Sequence, residues 1–136
     1  MADHEVFAQR LPFGGSVATA KCAQVLLDTE FEGRQDAFSS VELLLAALAG
    51  GLLEGVADAK ARLGLSIASV AVRVLGKSQD TPPGLQRADY TIWVESDASD
   101  SVLASLHESL TTSVTVRNTI AGGCEVVGTL VRGRPD

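Results

Sequence analysis

The side chains with the greatest chemical reactivity in this chain are two thiols and two imidazoles, those of Cys22, Cys124, His4 and His107. Thiolates act as nucleophiles and redox centres, and thiols and imidazoles together also bind zinc. The two cysteines form no CxxC pair, and none of the four residues has the short spacing typical of a zinc site. We therefore predict no metal site and interpret both cysteines as plain buried or half-buried thiols.

His107 is followed directly by Glu108 in the stretch "SVLASLHESL". An imidazole close to a carboxylate is a combination that general acid–base catalysis uses. We interpret this pair instead as part of a solvated helix face.

The longest apolar segment of the chain predicts a central helix that would position any such site. Ser39 and Glu42 have the S-x-x-E spacing of a capping box, directly before the run Leu43–Ala49, in which every residue is apolar. A helix that is apolar all round is buried on all sides, so we expect this half to be enclosed. Gly64 is the predicted end of the helix. The second half carries a polar stripe with a spacing of four: Glu54, Asp58 and Arg62.

The remaining elements predict an α+β fold in one domain covering 1–136. Three short strands precede the helix, with "PFGG" as a turn between the first two. Period-two alternation predicts strands in "SVAVRVL" and "DYTIWVES", joined by a long connection through Pro82, Pro83 and Gly84. A second helix is predicted to begin near Asp97 or Ser99, and "CEVVGTLVR" forms a last strand. The stretch "SVTVRNTIAGG" fits either a short helix or an extended segment.

Composition limits the classes of partner. The net charge of −6 and the isoelectric point of about 4.8 argue against nucleic acid and against an anionic membrane surface. The uncharged apolar run Leu43–Leu53 is too short to span a bilayer, and the first twenty residues lack the apolar region of a signal peptide. We expect a soluble, cytoplasmic protein.

The stretch "VELLLAALAGGLLEGVADAKARLGL" resembles the central helix of the OsmC/Ohr family, the osmotically inducible and organic-hydroperoxide-resistance proteins. The pieces "VAVRVLG", "ADYTIWVES", "LASLHESLTTSVTVRNTI" and "EVVGTLVR" follow in the family's order, so the resemblance covers 38–132. It implies antiparallel sheets wrapped around a long buried central helix, in an intertwined homodimer. It also implies a role in the oxidative stress response, because active members are thiol peroxidases with a reactive and a resolving cysteine.

The chain departs from this family at both thiol positions. The position of the reactive cysteine, after "AALAG", is Gly51, and that of the resolving cysteine is Val114, or Ser113 if the register shifts by one. The usual following proline is Thr115. The family's mechanism therefore cannot operate at these positions. We interpret Gly51 mainly as a site of close packing by a partner helix, and also as the remnant of a functional position.

Our first hypothesis is consequently a dimeric binding or scaffold protein without peroxidase activity or cofactor. Its ligand would be a small hydrophobic molecule in a pocket formed by Glu42, Leu48, Gly51, Ser113 and Val114. The alternative is a thiol-dependent hydroperoxide reductase using Cys22, on an N-terminal strand, and Cys124, at the start of the last strand. A third hypothesis is a purely structural partner of an active relative.

The resemblance also gives Glu42 a second interpretation. In the family the matching glutamate helps to hold an arginine near the reactive thiol. The capping box alone explains Glu42, and we favour that interpretation. Arg10 and Arg34 are the only arginines before the helix, and neither can be matched to the family arginine from the sequence.

Overall fold

The computed structural model describes residues 2–136 of the chain. Its contacts divide the chain into two compact units, one through Leu44 and the other Leu45–Asp136. The α+β class predicted from the sequence is confirmed: each unit contains a three-stranded sheet, and the helices lie in separate stretches of the chain.

The first unit is built on an antiparallel sheet of order β1-β2-β3. The predicted turn before β2 is present, and Gly14 and Gly15 have φ values of 101° and 77°, which glycine adopts at little cost. Cys22 was predicted to lie on a strand, but it lies with Lys21 in the two-residue turn between β2 and β3. The strands are β1 (Phe7–Arg10), β2 (Ser16–Ala20) and β3 (Ala23–Leu27).

The central helix α1 covers Ser40–Leu63, close to the predicted bounds. Its start is the predicted capping box: the Ser39 N–H donates to Oε1 of Glu42 at 2.9 Å, and the Glu42 N–H donates to Oγ of Ser39 at 3.1 Å. Gly64 ends the helix with a φ of 65°, and the next N–H, of Leu65, donates to the Lys60 carbonyl at 3.0 Å. The cap assignments from the sequence are confirmed.

The second unit contains a sheet of order β4-β5-β6. The pair β4–β5 is antiparallel, but β6 is parallel to β5, which corrects the expectation of wholly antiparallel sheets. A parallel return needs a crossover, and two helices between β5 and β6 supply it. The elements are β4 (Ile67–Asp80), β5 (Pro83–Ser96), α2 (Asp100–Ser113), α3 (Thr115–Ile120) and β6 (Glu125–Arg132).

Two further details differ from the sequence predictions. The connection between β4 and β5 is only Thr81–Pro82, because both strands extend much further than their apolar stretches. The ambiguous stretch after α2 is resolved as α3, separated from α2 by the extended residue Val114, with φ −90° and ψ 112°. Helix α2 begins where expected, with Ser99 as its N-cap.

The core of the second unit is one apolar cluster formed by α1, β5 and α2. The strand alternation is confirmed, because Tyr90, Ile92 and Val94 are all buried. The most buried members from the helices are Leu48, Leu52, Val56 and Ala59 on α1 and Leu103, Leu106 and Leu110 on α2.

Within one chain, α1 is not enclosed on all sides. Of the run Leu43–Ala49, only Leu48 is fully buried, and the exposed fraction of Leu44 is 42%. Ala47, Gly50, Leu53 and Ala57 are also exposed. One apolar face of the helix is left uncovered in the single chain, so the predicted burial on all sides would require the homodimer expected from the sequence. By length and composition this helix would suffice to cross a membrane, a test that core helices of soluble proteins also pass.

Candidate functional site

Gly51 and Val114, the two positions that the sequence analysis matches to the family thiols, lie against each other. A Cβ atom added at Gly51 on α1 would stand 2.9 Å from Cγ1 of Val114, the residue between α2 and α3, and 3.6 Å from Cβ of Val116. Val114 is 4% exposed. The fold therefore brings these two positions together, as the sequence match requires, and Val114 fills the space beside the missing side chain.

Of the three glycines in α1, Gly51 and Gly55 lie in close contact with other parts of the chain, whereas Gly50 does not. A Cβ at Gly55, one turn after Gly51, would stand 2.6 Å from Cδ2 of Leu110 and 3.0 Å from Cγ2 of Val114. Gly55 thus allows the end of α2 to approach closely, and Gly51 allows the same for Val114 and the start of α3. These neighbours belong to the same chain and differ from the partner helix expected from the sequence. A Cβ at Gly50 meets nothing within 4 Å.

The other three residues of the predicted pocket, Leu48, Ser113 and Glu42, differ in burial and in their contacts. Leu48 is fully buried in the core. Ser113 is exposed, and its hydroxyl donates to the Ser109 carbonyl at 2.8 Å. Glu42 forms the capping box in the first unit and borders a shallow concavity of about 360 Å³ with Gln35, Asp36, Ala37 and Phe38.

Both arginines that precede α1 have carboxylate partners in the first unit. Arg34 binds Asp36 through two hydrogen bonds of 2.9 and 2.8 Å, a bidentate pair that lowers the pKa of Asp36. Arg10 lies 3.8 Å from Glu30. Glu42 forms no ion pair among the described residues, so the capping interpretation of Glu42 agrees with its contacts.

Arg117 is a residue that sequence reasoning missed. It lies on α3, three residues after Val114, and its Nη1 donates to the Thr111 carbonyl at 2.7 Å while the Asn118 amide donates to the Thr112 carbonyl at 2.8 Å. These bonds satisfy carbonyls that the end of α2 leaves free. The Nε of Arg117 is buried and has no hydrogen-bond partner within 2–136. Because Arg117 is only three residues from Val114 in the sequence, it could have been recognised as a cation near that position without the structure.

His107 corrects the prediction of a solvated pair. It is half-buried, and its Nε2 lies 2.6 Å from the hydroxyl of Tyr90, with the two rings edge to face at 84°. Tyr90 is 5% exposed, and its ring packs over Gly128 of β6, where any Cβ would overlap it. Glu108 alone is solvated, as expected. The sequence did carry a signal, because His107 continues the α2 apolar stripe at four residues after Leu103.

Burial sets the protonation of this pair. It lowers the pKa of His107 and raises the pKa of Tyr90, the latter opposed by the nearby charge of Arg117. The imidazole is therefore held neutral near neutral pH, and the phenol stays protonated.

The two cysteines are both free thiols. Cys22 is exposed at the β2–β3 turn in the first unit. Cys124 immediately precedes β6 and packs against the core of the second unit. Burial and the adjacent Glu125 charge raise the pKa of Cys124, the direction opposite to that of a reactive thiol. Among residues 2–136, no three His, Cys, Asp or Glu side chains are grouped as metal ligands would be.

Comparison with known proteins gives a family match. A family model described as OsmC-like protein matches residues 33–127, which include both Gly51 and Val114. No curated protein matches the chain.

Solved structures similar to this chain cover nearly all of it. The OsmC-like protein from Mycoplasma pneumoniae has a TM-score of 0.83 at 18% identity, with 96% of this chain and 98% of that chain covered. An organic hydroperoxide resistance protein, OsmC, from Legionella pneumophila has a TM-score of 0.75 at 15% identity, covering 96% and 98%. OhrB of Bacillus subtilis, an organic hydroperoxide resistance protein, has a TM-score of 0.66 at 13% identity, covering 95% and 98%. At these identities the likeness concerns the fold.

Proposed function

The chain belongs to the OsmC-like protein family, and we propose that it acts within that family as a dimeric binding protein for a small hydrophobic ligand, without thiol peroxidase activity. It would do so in the cytoplasm and without a cofactor. Two of the structural relatives are described as organic hydroperoxide resistance proteins.

The contact between Gly51 and Val114 is the observation that carries this proposal. The two side-chain positions adjoin at 2.9 Å, the arrangement that a reactive and a resolving thiol would need, yet neither residue has a sulfur atom. A thiol peroxidase needs a thiolate to attack the peroxide and a second thiol to resolve the sulfenic acid. The two positions lie close enough to react with each other, but glycine and valine supply no thiol, and this supports a function without thiol peroxidase activity.

The dimer is part of the same proposal. The exposed apolar face of α1, with Ala47, Gly50, Leu53 and Ala57, has no cover within the second unit. Contiguous apolar surface of this kind typically marks an interaction site. A second copy of the same face would bury it symmetrically.

The alternative is peroxide reduction by Cys22 and Cys124. Exposure of Cys22 at a turn favours access by a peroxide. The raised pKa of Cys124 works against it, because the thiolate is the reactive form.

A hydroperoxide consumption assay separates the two functions. The protein is incubated with cumene hydroperoxide and dithiothreitol, and free thiols are counted before and after. We expect no consumption above the rate of the reductant alone, in the native chain and in the matched Cys22→Ser/Cys124→Ser variant. Consumption that the double variant abolishes would establish the alternative. Consumption that survives it would contradict both functions.

A further inference from the structure

A second place that could hold a ligand lies beside α2, and neither Gly51 nor Val114 lines it. A cavity of about 290 Å³ lies between this helix and β6. Its walls combine apolar groups with one imidazole and one ion pair: Leu103, Ala104, Leu130, His107, Asp100 and Arg132. All six belong to the second unit.

The charges of this cavity are already balanced. The Arg132 guanidinium donates to the carbonyls of Ser96 and Ala98, the latter at 2.7 Å, and to Oδ1 of Asp100 at 2.9 Å. Its side chain is 41% exposed and that of Asp100 is fully exposed, so the ion pair lies at the rim. An added anion or cation would have to compete with this pair, which favours an uncharged occupant.

His107 is the one uncharged polar side chain among the six residues that line the cavity. Its Nε2 is bound to the Tyr90 hydroxyl at 2.6 Å, and the other ring nitrogen has no partner among residues 2–136. Among residues 2–136 the Tyr90 hydroxyl has no other hydrogen-bond acceptor, so we assign it as the donor to Nε2 of His107. The remaining nitrogen, Nδ1, then carries the hydrogen of the neutral ring and is the atom of His107 available to donate to a ligand.

We propose that this cavity, here named the α2–β6 cavity, binds a small uncharged carbonyl compound whose oxygen accepts a hydrogen bond from His107. The apolar part of the ligand rests on Leu103, Ala104 and Leu130. A cavity of about 290 Å³ is large enough for a small organic molecule, since a water molecule in the liquid occupies roughly 30 Å³. The inference rests on the proposed binding function and gives its ligand a place and a chemical class.

Acetophenone is a suitable probe, because it has an uncharged carbonyl and an apolar ring of the right size. It is titrated into the ¹⁵N-labelled native protein and followed by NMR, with benzoate as the charged analogue of equal size and ethylbenzene as the analogue without an acceptor. We expect shifts at the cavity residues, with binding at least tenfold weaker for benzoate and for ethylbenzene. Tighter binding of benzoate would overturn the assignment of an uncharged ligand.

Two variants on α2 localise the binding. Ala104→Leu fills the cavity and should abolish the acetophenone shifts, whereas Ser105→Leu, an exposed neighbour outside the lining, should leave them unchanged. Histidine ¹⁵N shifts should show the proton of His107 on Nδ1, and a proton on Nε2 would overturn the donor assignment. Shifts confined to the surroundings of Gly51 would refute the α2–β6 cavity and leave the proposed function standing, whereas peroxide turnover would refute that function and leave the cavity result unaffected.

Discussion

Gly51 and Val114 face each other at a distance close to that between Cβ and Sγ across a disulfide bond. The distance from the Cβ position of Gly51 to Cγ1 of Val114 is 2.9 Å, and disulfide geometry places Cβ about 3 Å from the opposite sulfur. The fold therefore places these two positions side by side in a chain that has sulfur at neither position.

This spacing predicts that the variant Gly51→Cys/Val114→Cys forms an internal disulfide. Mild oxidation should leave two reactive thiols per unfolded chain, those of Cys22 and Cys124, out of four. Thiol titration with and without a reductant measures this directly. The matched control is Gly50→Cys/Val114→Cys, because a Cβ at Gly50 has no neighbour within 4 Å. Four thiols in the first variant after oxidation would contradict the geometry.

Gly51→Cys alone should not give efficient peroxidase turnover. It supplies a nucleophile, but Val114 cannot resolve the sulfenic acid, which would then over-oxidise. We expect one slow equivalent of peroxide consumed per chain to form the sulfenic acid, and a second equivalent consumed as it over-oxidises to the sulfinic acid, which mass spectrometry detects on the introduced thiol. Multiple turnovers with a dithiol reductant would mean that the remainder of the site is intact and that only the thiols were lost.

Gly51→Leu should destabilise the fold much more than Glu54→Leu. The added side chain at Gly51 meets the branched, inflexible Val114, and overpacking of this kind costs about 1–3 kcal/mol. The higher helix propensity of leucine offsets nearly 1 kcal/mol of this cost, because leucine is close to alanine in propensity and glycine is about 1 kcal/mol worse than alanine. Glu54 is exposed, where substitutions usually cost less than about 0.5 kcal/mol. Urea unfolding compares the two, and a neutral or stabilising Gly51→Leu would contradict the tight contact.

Sequence signals that act between neighbouring residues predicted most helices and strands, whereas features that depend on contacts between distant residues were missed. The bounds of α1 could be predicted because Ser39, Glu42 and Gly64 act on their own neighbours in the chain. The parallel direction of β6 could not, because it depends on how α2 and α3 cross the sheet. Contacts between distant residues also explain what the sequence analysis missed around Gly51 and His107.

Sequence alone matched Gly51 and Val114 to the family but assigned the close contact of Gly51 to a partner chain. Nothing local indicates that Val114 of the same chain occupies that space. His107 was placed in solvent because the partner that buries it, Tyr90, lies on a different element. Pairs of this kind are set by tertiary packing, which a periodic pattern does not encode.

The His107–Tyr90 pair predicts a specific dependence of stability on pH. Burial lowers the pKa of His107 below its ordinary value of 6.5, so the unfolded chain binds this proton more readily than the fold. The contribution of His107 is therefore fully present above pH 6.5 and is lost as the pH falls toward the lowered pKa. Urea unfolding between about pH 7.5 and 5.5 should show this loss.

The variant His107→Gln is the control for that measurement, because it keeps a polar group but does not titrate. Its stability should depend less on pH over the same range. Hydrogen bonds from arginines lower the pKa values of Asp36 and Asp89, and hydrogen bonds from Ser69 and then Arg134 lower that of Glu95. These carboxylates act in the same direction but only below their ordinary values of 3.8 to 4.5. Equal pH dependence in the variant and the native chain would contradict a buried neutral imidazole.

The uncovered face of α1 predicts a homodimer, and Gly50 provides the sharpest test of it. Sedimentation equilibrium at micromolar concentration should give about 28 kDa, twice the 14.1 kDa of one chain. A Cβ atom at Gly50 would meet nothing within 4 Å among residues 2–136, and leucine has the higher helix propensity, so a monomeric protein should tolerate Gly50→Leu. In a dimer that packs this face closely, the same leucine should separate the subunits.

Arg62→Leu, on the polar stripe of α1, is the matched control and should leave the mass unchanged. A native monomer of about 14 kDa would refute the dimer. A dimer that Gly50→Leu leaves intact would instead mean that the subunits associate through another surface, because a face centred on a glycine cannot accept a leucine and keep close contact between the helices.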